Sequence, residues 1–157
     1  MLEAHTLITE PAQAATFTLE LTFDDRQKSR HRSQTTCGQE FGWFIERGHV
    51  LKDGDLLLCT TGEIAVVVAA PESVSTVYAK TSLELTRAAY HLGNRHVPLQ
   101  ITEAFLRYQH DHVLDDMVRG LGLNVECEKS SFQPEPGAYA AGHSPSGGHG
   151  HSHAHDH

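Results

Sequence analysis

The hydrophobic pattern of the N-terminal half predicts several short strands. Residues 16–23 alternate polar and apolar side chains without a break, which is the period of a strand that buries one face. Shorter apolar runs follow at 42–45, 55–60 and 64–69, separated by turns that contain glycine. Residues 1–72 are therefore predicted to form a small all-β domain, as an antiparallel meander, a small sandwich or a barrel-like sheet.

The pattern changes after Pro71, where strand and helix periods alternate. A capping box from Thr81 to Glu84 predicts the start of a first helix, and Gly93 predicts its end. The apolar spacing within 113–121 predicts a second helix. Four strand segments surround these helices, at 74–80, 97–101, 104–109 and 124–129. The resulting order, β-α-β-β-α-β, predicts a ferredoxin-like domain over residues 73–138 and an α+β fold class for the chain.

The chain ends in a histidine-rich segment. Every second residue from His149 to His157 is histidine, and six of the chain's 13 histidines follow Ala141. Glycine, serine and alanine surround them, so the segment lacks the apolar residues that a core requires. Residues 139–157 are therefore predicted to be a flexible tail. Because clustered imidazoles bind nickel, copper and zinc, metal binding is the first functional hypothesis.

Composition and charge exclude several classes of function. The formal net charge of -8 argues against a phosphate-binding surface, so nucleic acid is not an expected partner. The longest apolar run, 64–70, is too short for a membrane span, and we expect a cytoplasmic protein with no membrane partner. The three cysteines form no Cys-x-x-Cys pair, so neither a disulfide framework nor a thiolate zinc site is predicted. The chain also has no phosphate-binding loop for nucleotide hydrolysis.

A basic segment stands out in this acidic chain. Arg26, Lys28, Arg30 and Arg32 would share one face if the segment is extended. A solvated strand face is the first interpretation, and a docking surface for an acidic partner is the second. His31, within the segment, is interpreted as a surface residue.

Two histidines near the end of the first predicted helix are candidate metal ligands. His91 and His96 flank its carbonyl end, where a partial negative charge favours a cation. His91 is interpreted as a capping or packing residue, whereas His96 lies in the following loop and is free to project. One imidazole holds a divalent ion poorly, so His96 would need further ligands, which the second copy in a two-fold dimer could supply.

A second candidate group is His110-Asp111-His112, where the second predicted helix begins. Its two imidazoles are separated by one residue and could share an ion. However, a helix N-terminus disfavours cations, and Asp111 is a natural N-cap. On the residues alone, a weak metal site and a purely structural cap both stay open.

Motifs in the C-terminal half resemble those of the urease accessory nickel metallochaperone family, UreE. They are YHLGNRHVPLQI at 90–101, HDHVLDDM at 110–117, PEPGAYA at 134–140 and the histidine-rich terminus. The resemblance implies a homodimer joined through its ferredoxin-like domains, with a peptide-binding-like β domain on the outside of each subunit. It further implies that the protein catalyses no reaction and passes Ni²⁺, through a GTPase accessory partner, to the urease apoprotein complex.

The resemblance also implies particular metal ligands. His96 matches the interfacial nickel ligand of the family, and His110 and His112 match peripheral ligand positions that vary among relatives. The tail histidines match only as a composition; they are His143, His149, His151, His153, His155 and His157. Zn²⁺ or Cu²⁺ is expected to compete for such imidazole sites.

Two other classes of function remain as alternatives. In the first, the tail is the functional segment, and the protein is a nickel or zinc buffer for storage or detoxification. In the second, the His-x-His pair at 110 and 112 belongs to a metalloenzyme. The chain is shorter than the barrel of about 250 residues that often holds this motif, and it offers no obvious general base. The long motif around His96 favours delivery over both alternatives.

Overall fold

The computed structural model describes residues 1–9 and 14–137 and places them in two successive β-sheets. Within these residues, the first sheet has six strands and includes one short helix, α1 (Phe23–Arg26). The strands are β1 (Leu2–Ile8), β2 (Phe17–Leu21), β3 (Arg30–Gln34), β4 (Glu40–Phe44), β5 (Leu56–Cys59) and β6 (Ile64–Ala69).

The first sheet curls into a nearly closed barrel. Its strand order is β2-β6-β5-β1-β4-β3, and the backbone N–H of Thr36, just after β3, donates to the Thr18 carbonyl of β2 at 2.9 Å. The prediction of a barrel-like all-β fold is therefore confirmed. The antiparallel meander is wrong, because β1 pairs in parallel with β4 and β2 pairs in parallel with β6.

Two strands of the first sheet lack the apolar alternation that predicts a strand. β3 is an edge strand of five polar residues, held by its pairing with β4. β1 lies in the middle of the sheet although it contains Glu3, His5 and Thr6. The His5 ring stacks on the Phe44 ring of β4 with centroids 5.0 Å apart. These two segments are therefore strands because they pair with neighbouring strands, and not because an apolar alternation buries one face.

The second sheet has the predicted ferredoxin-like arrangement. Its order is β10-β7-β9-β8, and every pair is antiparallel. Two helices connect the strands in the order β-α-β-β-α-β, so this prediction is confirmed. The elements are β7 (Pro71–Tyr78), α2 (Ser82–Gly93), β8 (Gln100–Ile101), β9 (Phe105–Gln109), α3 (His112–Gly120) and β10 (Asn124–Ser131). The strand predicted at 97–101 shortens to two residues, because Pro98 has no N–H for the sheet.

Local sequence explains where α2 and α3 begin. The Thr81 side chain accepts a hydrogen bond from Glu84 N at 3.2 Å, which is one half of the predicted capping box, and the Glu84 carboxylate accepts from Lys80 N at 2.9 Å. Asp111 caps α3 by accepting from two backbone N–H groups of the first turn. The apolar stripe of α3 then buries Leu114 and Val118 against the sheet. In the described part of the chain, no helix is long and apolar enough to cross a membrane.

Arg26 joins the two sheets and is not part of a solvated basic face. It lies in α1 and not in a strand, because Thr22 caps this helix through Asp25 N. Its guanidinium is buried and donates to backbone carbonyls on both sides, at Leu21 and at Phe132, directly after β10. Burial lowers the pKa of Arg26, against the effect of nearby carboxylates. The predicted stripe is therefore wrong at Arg26, and the strand predicted at 16–23 ends before α1.

Candidate metal centres

His96 lies in an exposed turn directly after α2. Its backbone N–H donates to the carbonyl of Gly93, the last residue of the helix, at 3.0 Å. Its φ of 56° lies in the left-handed region, which costs a residue with a side chain roughly 1–2 kcal/mol. At every other described position with a positive φ the residue is glycine. A histidine therefore stands where glycine would relieve the strain.

His91 lies within α2 and contacts a neighbouring ring, in agreement with its interpretation as a packing residue. It is half-buried, and its ring meets the Tyr90 ring edge-on with centroids 5.2 Å apart. Tyr90 itself is 70% exposed, and Leu83, on the same helical face seven residues earlier, is 66% exposed. We call these two exposed residues the apolar strip of α2; they lie two turns apart with the polar residues Thr86 and Arg87 between them, and Tyr90 is in the last turn before the loop that contains His96.

His110 belongs to a group of three side chains that could hold a metal ion, together with Asp115 and Cys127. The Nδ1 atom of His110 lies 3.3 Å from Asp115 Oδ2 and 3.4 Å from Cys127 Sγ. The Cys127 and Asp115 atoms are 3.5 Å apart. Imidazole, carboxylate and thiolate are all ligands that zinc accepts in proteins. We refer to these three residues as the His110 group.

Strand register brings the His110 group together. Cys127 of β10 pairs with Ser75 of β7, which pairs with Tyr108 of β9, so the three form a row across the sheet. The row faces α3, whose first turn contributes Asp115. His110 follows β9 directly, and its backbone N–H donates to a carbonyl of β7 at 3.2 Å. Two strands, the end of a third and one helix thus position the donor atoms.

Asp115 is the buried member of the group, with only 2% of its side chain exposed. Tyr108 donates its hydroxyl to Asp115 Oδ1 at 2.6 Å. Burial disfavours the charge on this carboxylate, but hydrogen bonds from three neighbouring side chains outweigh it, so the pKa of Asp115 lies below its ordinary value. Burial and the hydrogen bond to Asp115 both raise the pKa of Tyr108. The carboxylate is therefore ionised at neutral pH, with Oδ2 facing the other two donors.

His112 does not join this group. It is exposed at the first position of α3, and in the described ranges the His110 group alone gathers three or more histidine, cysteine or acidic donors. The structure thus gives His110 and His112 different surroundings, although the sequence offers them as a pair. The tail candidates lie outside the described residues: His143, His149, His151, His153, His155 and His157.

Asp115 and Cys127 are the two potential ligands that sequence reasoning missed. Neither has a metal-binding spacing to His110, and the absence of a Cys-x-x-Cys pair argued against thiolate ligation. A single cysteine can nevertheless join a mixed set of donors when strand pairing places it beside them. The available signal was that Cys127 lies on the last predicted strand, which the ferredoxin-like order places beside the first.

Comparison with known proteins finds relatives that match both halves of the chain. The family model for the N-terminal domain of the UreE urease accessory protein matches residues 1–70, and the model for its C-terminal domain matches residues 72–157. A urease accessory protein UreE from Saccharophagus degradans is 59% identical over 144 residues, which cover 88% of this chain and 84% of the relative. One from Teredinibacter turnerae is 60% identical over 129 residues, with 82% and 81% covered. The relative from Proteus mirabilis is 57% identical over 122 residues, with 78% and 76% covered.

Proposed function

The chain belongs to the UreE family of urease accessory proteins, and on this basis we propose that it binds Ni²⁺ and delivers it for assembly of the urease active site. Delivery runs through a GTPase accessory partner to the urease apoprotein complex, in the cytoplasm. The protein catalyses no reaction in this scheme, and Ni²⁺ is its cargo. Zn²⁺ and Cu²⁺ compete for the same imidazoles, so selectivity depends on partners and on metal supply.

The turn that contains His96 is the observation that best supports delivery. A cargo site needs ligands that bind an ion and later release it, and a neutral imidazole on an exposed turn suits both steps. His96 also keeps a left-handed backbone conformation that glycine would adopt without strain. Strain of this kind persists where the side chain has a role beyond folding.

A homodimer supplies the ligands that one subunit lacks at His96. In a two-fold dimer each interface residue meets its own copy or a neighbour's, so two His96 imidazoles can share one ion at the axis. The apolar strip formed by Leu83 and Tyr90 lies on the helix that leads to this turn. In a dimer that packs against this face of α2, the two side chains would be covered. We assign the strip to the dimer interface.

The other histidines have accessory roles in this proposal. His112 and the tail histidines provide additional positions at which Ni²⁺ is collected. These tail positions are His143, His149, His151, His153, His155 and His157. His110 is not counted among these accessory positions, because its side chain contacts Asp115 and Cys127 instead.

Nickel titration of the fragment 1–142, which lacks the tail histidines, tests the interfacial ligand. We expect the fragment to bind one His96-dependent ion per dimer and the His96→Asn variant to lose it. Asparagine tolerates the left-handed conformation but offers no imidazole, so the turn is preserved. Calorimetry gives the number of ions, and native mass measurement gives the number of subunits. His49→Asn, which removes a half-buried imidazole from the first domain, is the control and should keep the ion. Retention of the ion by His96→Asn would contradict the proposal.

Urease activity in cells separates delivery from storage. At low nickel, cells with His96→Asn are expected to lose most urease activity and to recover it when nickel is supplied in excess. The buffer alternative predicts a different result for cells that lack the whole protein. Urease would then stay active at low nickel, but the cells would be more sensitive to excess metal.

A further inference from the structure

We propose that His110, Asp115 and Cys127 form a tetrahedral site for a zinc-class divalent cation within a single subunit. This site is separate from the nickel position at His96 and needs no residue from a second copy. Instead of sharing a nickel ion with His112, His110 becomes the nitrogen ligand in a mixed set of nitrogen, oxygen and sulfur donors.

The separations between the donor atoms match one face of a tetrahedron. Metal–ligand bonds of about 2.0–2.3 Å in tetrahedral geometry place neighbouring donors about 3.3–3.8 Å apart. The three separations in the His110 group are 3.3, 3.4 and 3.5 Å. Donors at right angles around a square-planar ion, with bonds of the same length, would be about 2.8–3.3 Å apart, a range that contains only the shortest of the three separations. The group therefore fits Zn²⁺ better than square-planar Ni²⁺.

The carboxylate is already held in the orientation that such a site requires. Tyr108, itself fully buried, donates to Asp115 Oδ1 and leaves Oδ2 directed at His110 and Cys127. Hydrogen bonds from residues behind a ligand commonly fix ligating carboxylates in metal sites. The Ser75 hydroxyl lies 3.1 Å from His110 Nδ1, and an ion bound at Nδ1 would replace this contact. The donors are thus arranged before any ion binds, which reduces the entropic cost of binding.

An ion can reach the group from solvent. Asp115 is buried, but His110 and Cys127 are exposed. A groove of about 310 Å³ lies against them. It is lined by Ser73, Val74, His110, Cys127, Glu128 and Lys129. The groove leaves room for water as a fourth ligand, as in zinc sites that keep one coordination position open.

The charges of the donors balance those of a divalent cation. Asp115 contributes one negative charge, and Cys127 contributes a second when its thiol releases a proton to solvent as the metal–sulfur bond forms. His110 binds as a neutral imidazole. Lys129, on the rim of the groove, directs its ammonium group to the Ser73 hydroxyl at 2.7 Å. The occupied site would therefore be electrically neutral, which suits its partly buried position.

Absorption spectroscopy of the full-length protein with Co²⁺ tests this site, because Co²⁺ occupies tetrahedral zinc sites and is coloured. A thiolate ligand adds a sulfur-to-cobalt charge-transfer band, to which tail imidazoles make no contribution. We expect the band to saturate at one Co²⁺ per chain and to disappear when Zn²⁺ is added. Cys127→Ser should abolish the band. Cys37→Ser removes another exposed thiol, in the segment between β3 and β4, and should leave the band unchanged.

Asp115→Asn provides a second variant that keeps both the thiol and an acceptor for Tyr108. We expect it to weaken Co²⁺ binding by about tenfold or more. A charge-transfer band that survives Cys127→Ser, or the absence of this band in the wild-type protein, would overturn the proposal. The outcome is independent of nickel delivery. His96→Asn should keep the cobalt band, and Cys127→Ser should keep the His96-dependent nickel ion.

Discussion

The two candidate metal centres differ in how much of each one is built by a single subunit. The His110 group places three donor atoms within 3.5 Å of one another, and its carboxylate is buried and hydrogen-bonded. His96 provides one exposed imidazole on a strained turn. In our proposals the first centre supplies three donors from one chain, whereas the second supplies one ligand and relies on a second chain for the others.

This difference suits two different uses of a metal ion. Donors fixed by strands and a helix lose little freedom on binding, so an ion held by them is expected to stay bound. Ligands contributed across an interface separate when the interface changes, which suits an ion that is passed on. Substitutions at the His110 group should therefore change the stability of the fold. Substitutions at His96 should change nickel exchange and leave stability nearly unaltered.

Asp115→Ala is expected to have the largest effect on stability. It leaves the buried Tyr108 hydroxyl without its acceptor, which should lower the free energy of unfolding by about 2–3 kcal/mol. His96→Asn, on an exposed turn, should change it by less than about 0.5 kcal/mol. Urea denaturation with a chelator present measures both values. Asp115→Asn keeps an acceptor for Tyr108, so its free energy of unfolding should fall by less than that of Asp115→Ala. Equal losses at Asp115 and His96 would remove the distinction between the two centres.

Zinc is expected to stabilise the fold through the His110 group. The expected gain in the free energy of unfolding is smaller than the loss in Asp115→Ala. An ion that binds only the native state contributes about 1.4 kcal/mol at about ten times its dissociation constant. Thermal unfolding with Zn²⁺ should show a gain that is larger by about this amount in the wild-type protein and in His96→Asn than in Cys127→Ser. All three proteins contain the same tail, so any contribution from the tail histidines cancels. The same gain in Cys127→Ser would place the stabilising zinc outside the His110 group.

The sequence predicts the parts of each centre that depend on neighbouring residues. The capping box at Thr81 and the stop at Gly93 act within one or two turns, so the end of α2 and the loop position of His96 could be predicted. Asp111 was predictable as a cap for the same reason. Cys127 was not, because its place beside His110 depends on strand pairing between distant parts of the chain.

The same distinction applies to the fold. The order of strands and helices after Pro71 followed from local periods, and it is the order that the structure has. In the first sheet, the parallel pairing of β1 with β4 joins segments that no local period connects. Arg26 shows the consequence for a single residue. Its burial depends on carbonyl groups from both sheets, so its charge alone suggested solvent exposure.

Glu128 gives the smallest expected effect. It lies next to Cys127 on β10 and borders the same groove, but its carboxylate is directed to the opposite face of the sheet. It accepts hydrogen bonds from Thr76 at 2.6 Å and from Tyr78 and Arg107. The Thr76 hydrogen bond, helped by those of Tyr78 and the charge of Arg107, holds the pKa of Glu128 below its ordinary value. Its stabilising contribution is therefore present above the unfolded pKa of about 4.3 and is lost as pH falls through the folded pKa. Glu128→Gln should lower the unfolding free energy by less than about 1 kcal/mol at neutral pH, and this difference should vanish in acid. Urea denaturation of both proteins from neutral pH into acid, with and without Zn²⁺, measures this difference. A difference that depends on Zn²⁺ would mean that the two faces of the sheet are coupled and that the His110 group is not a self-contained centre.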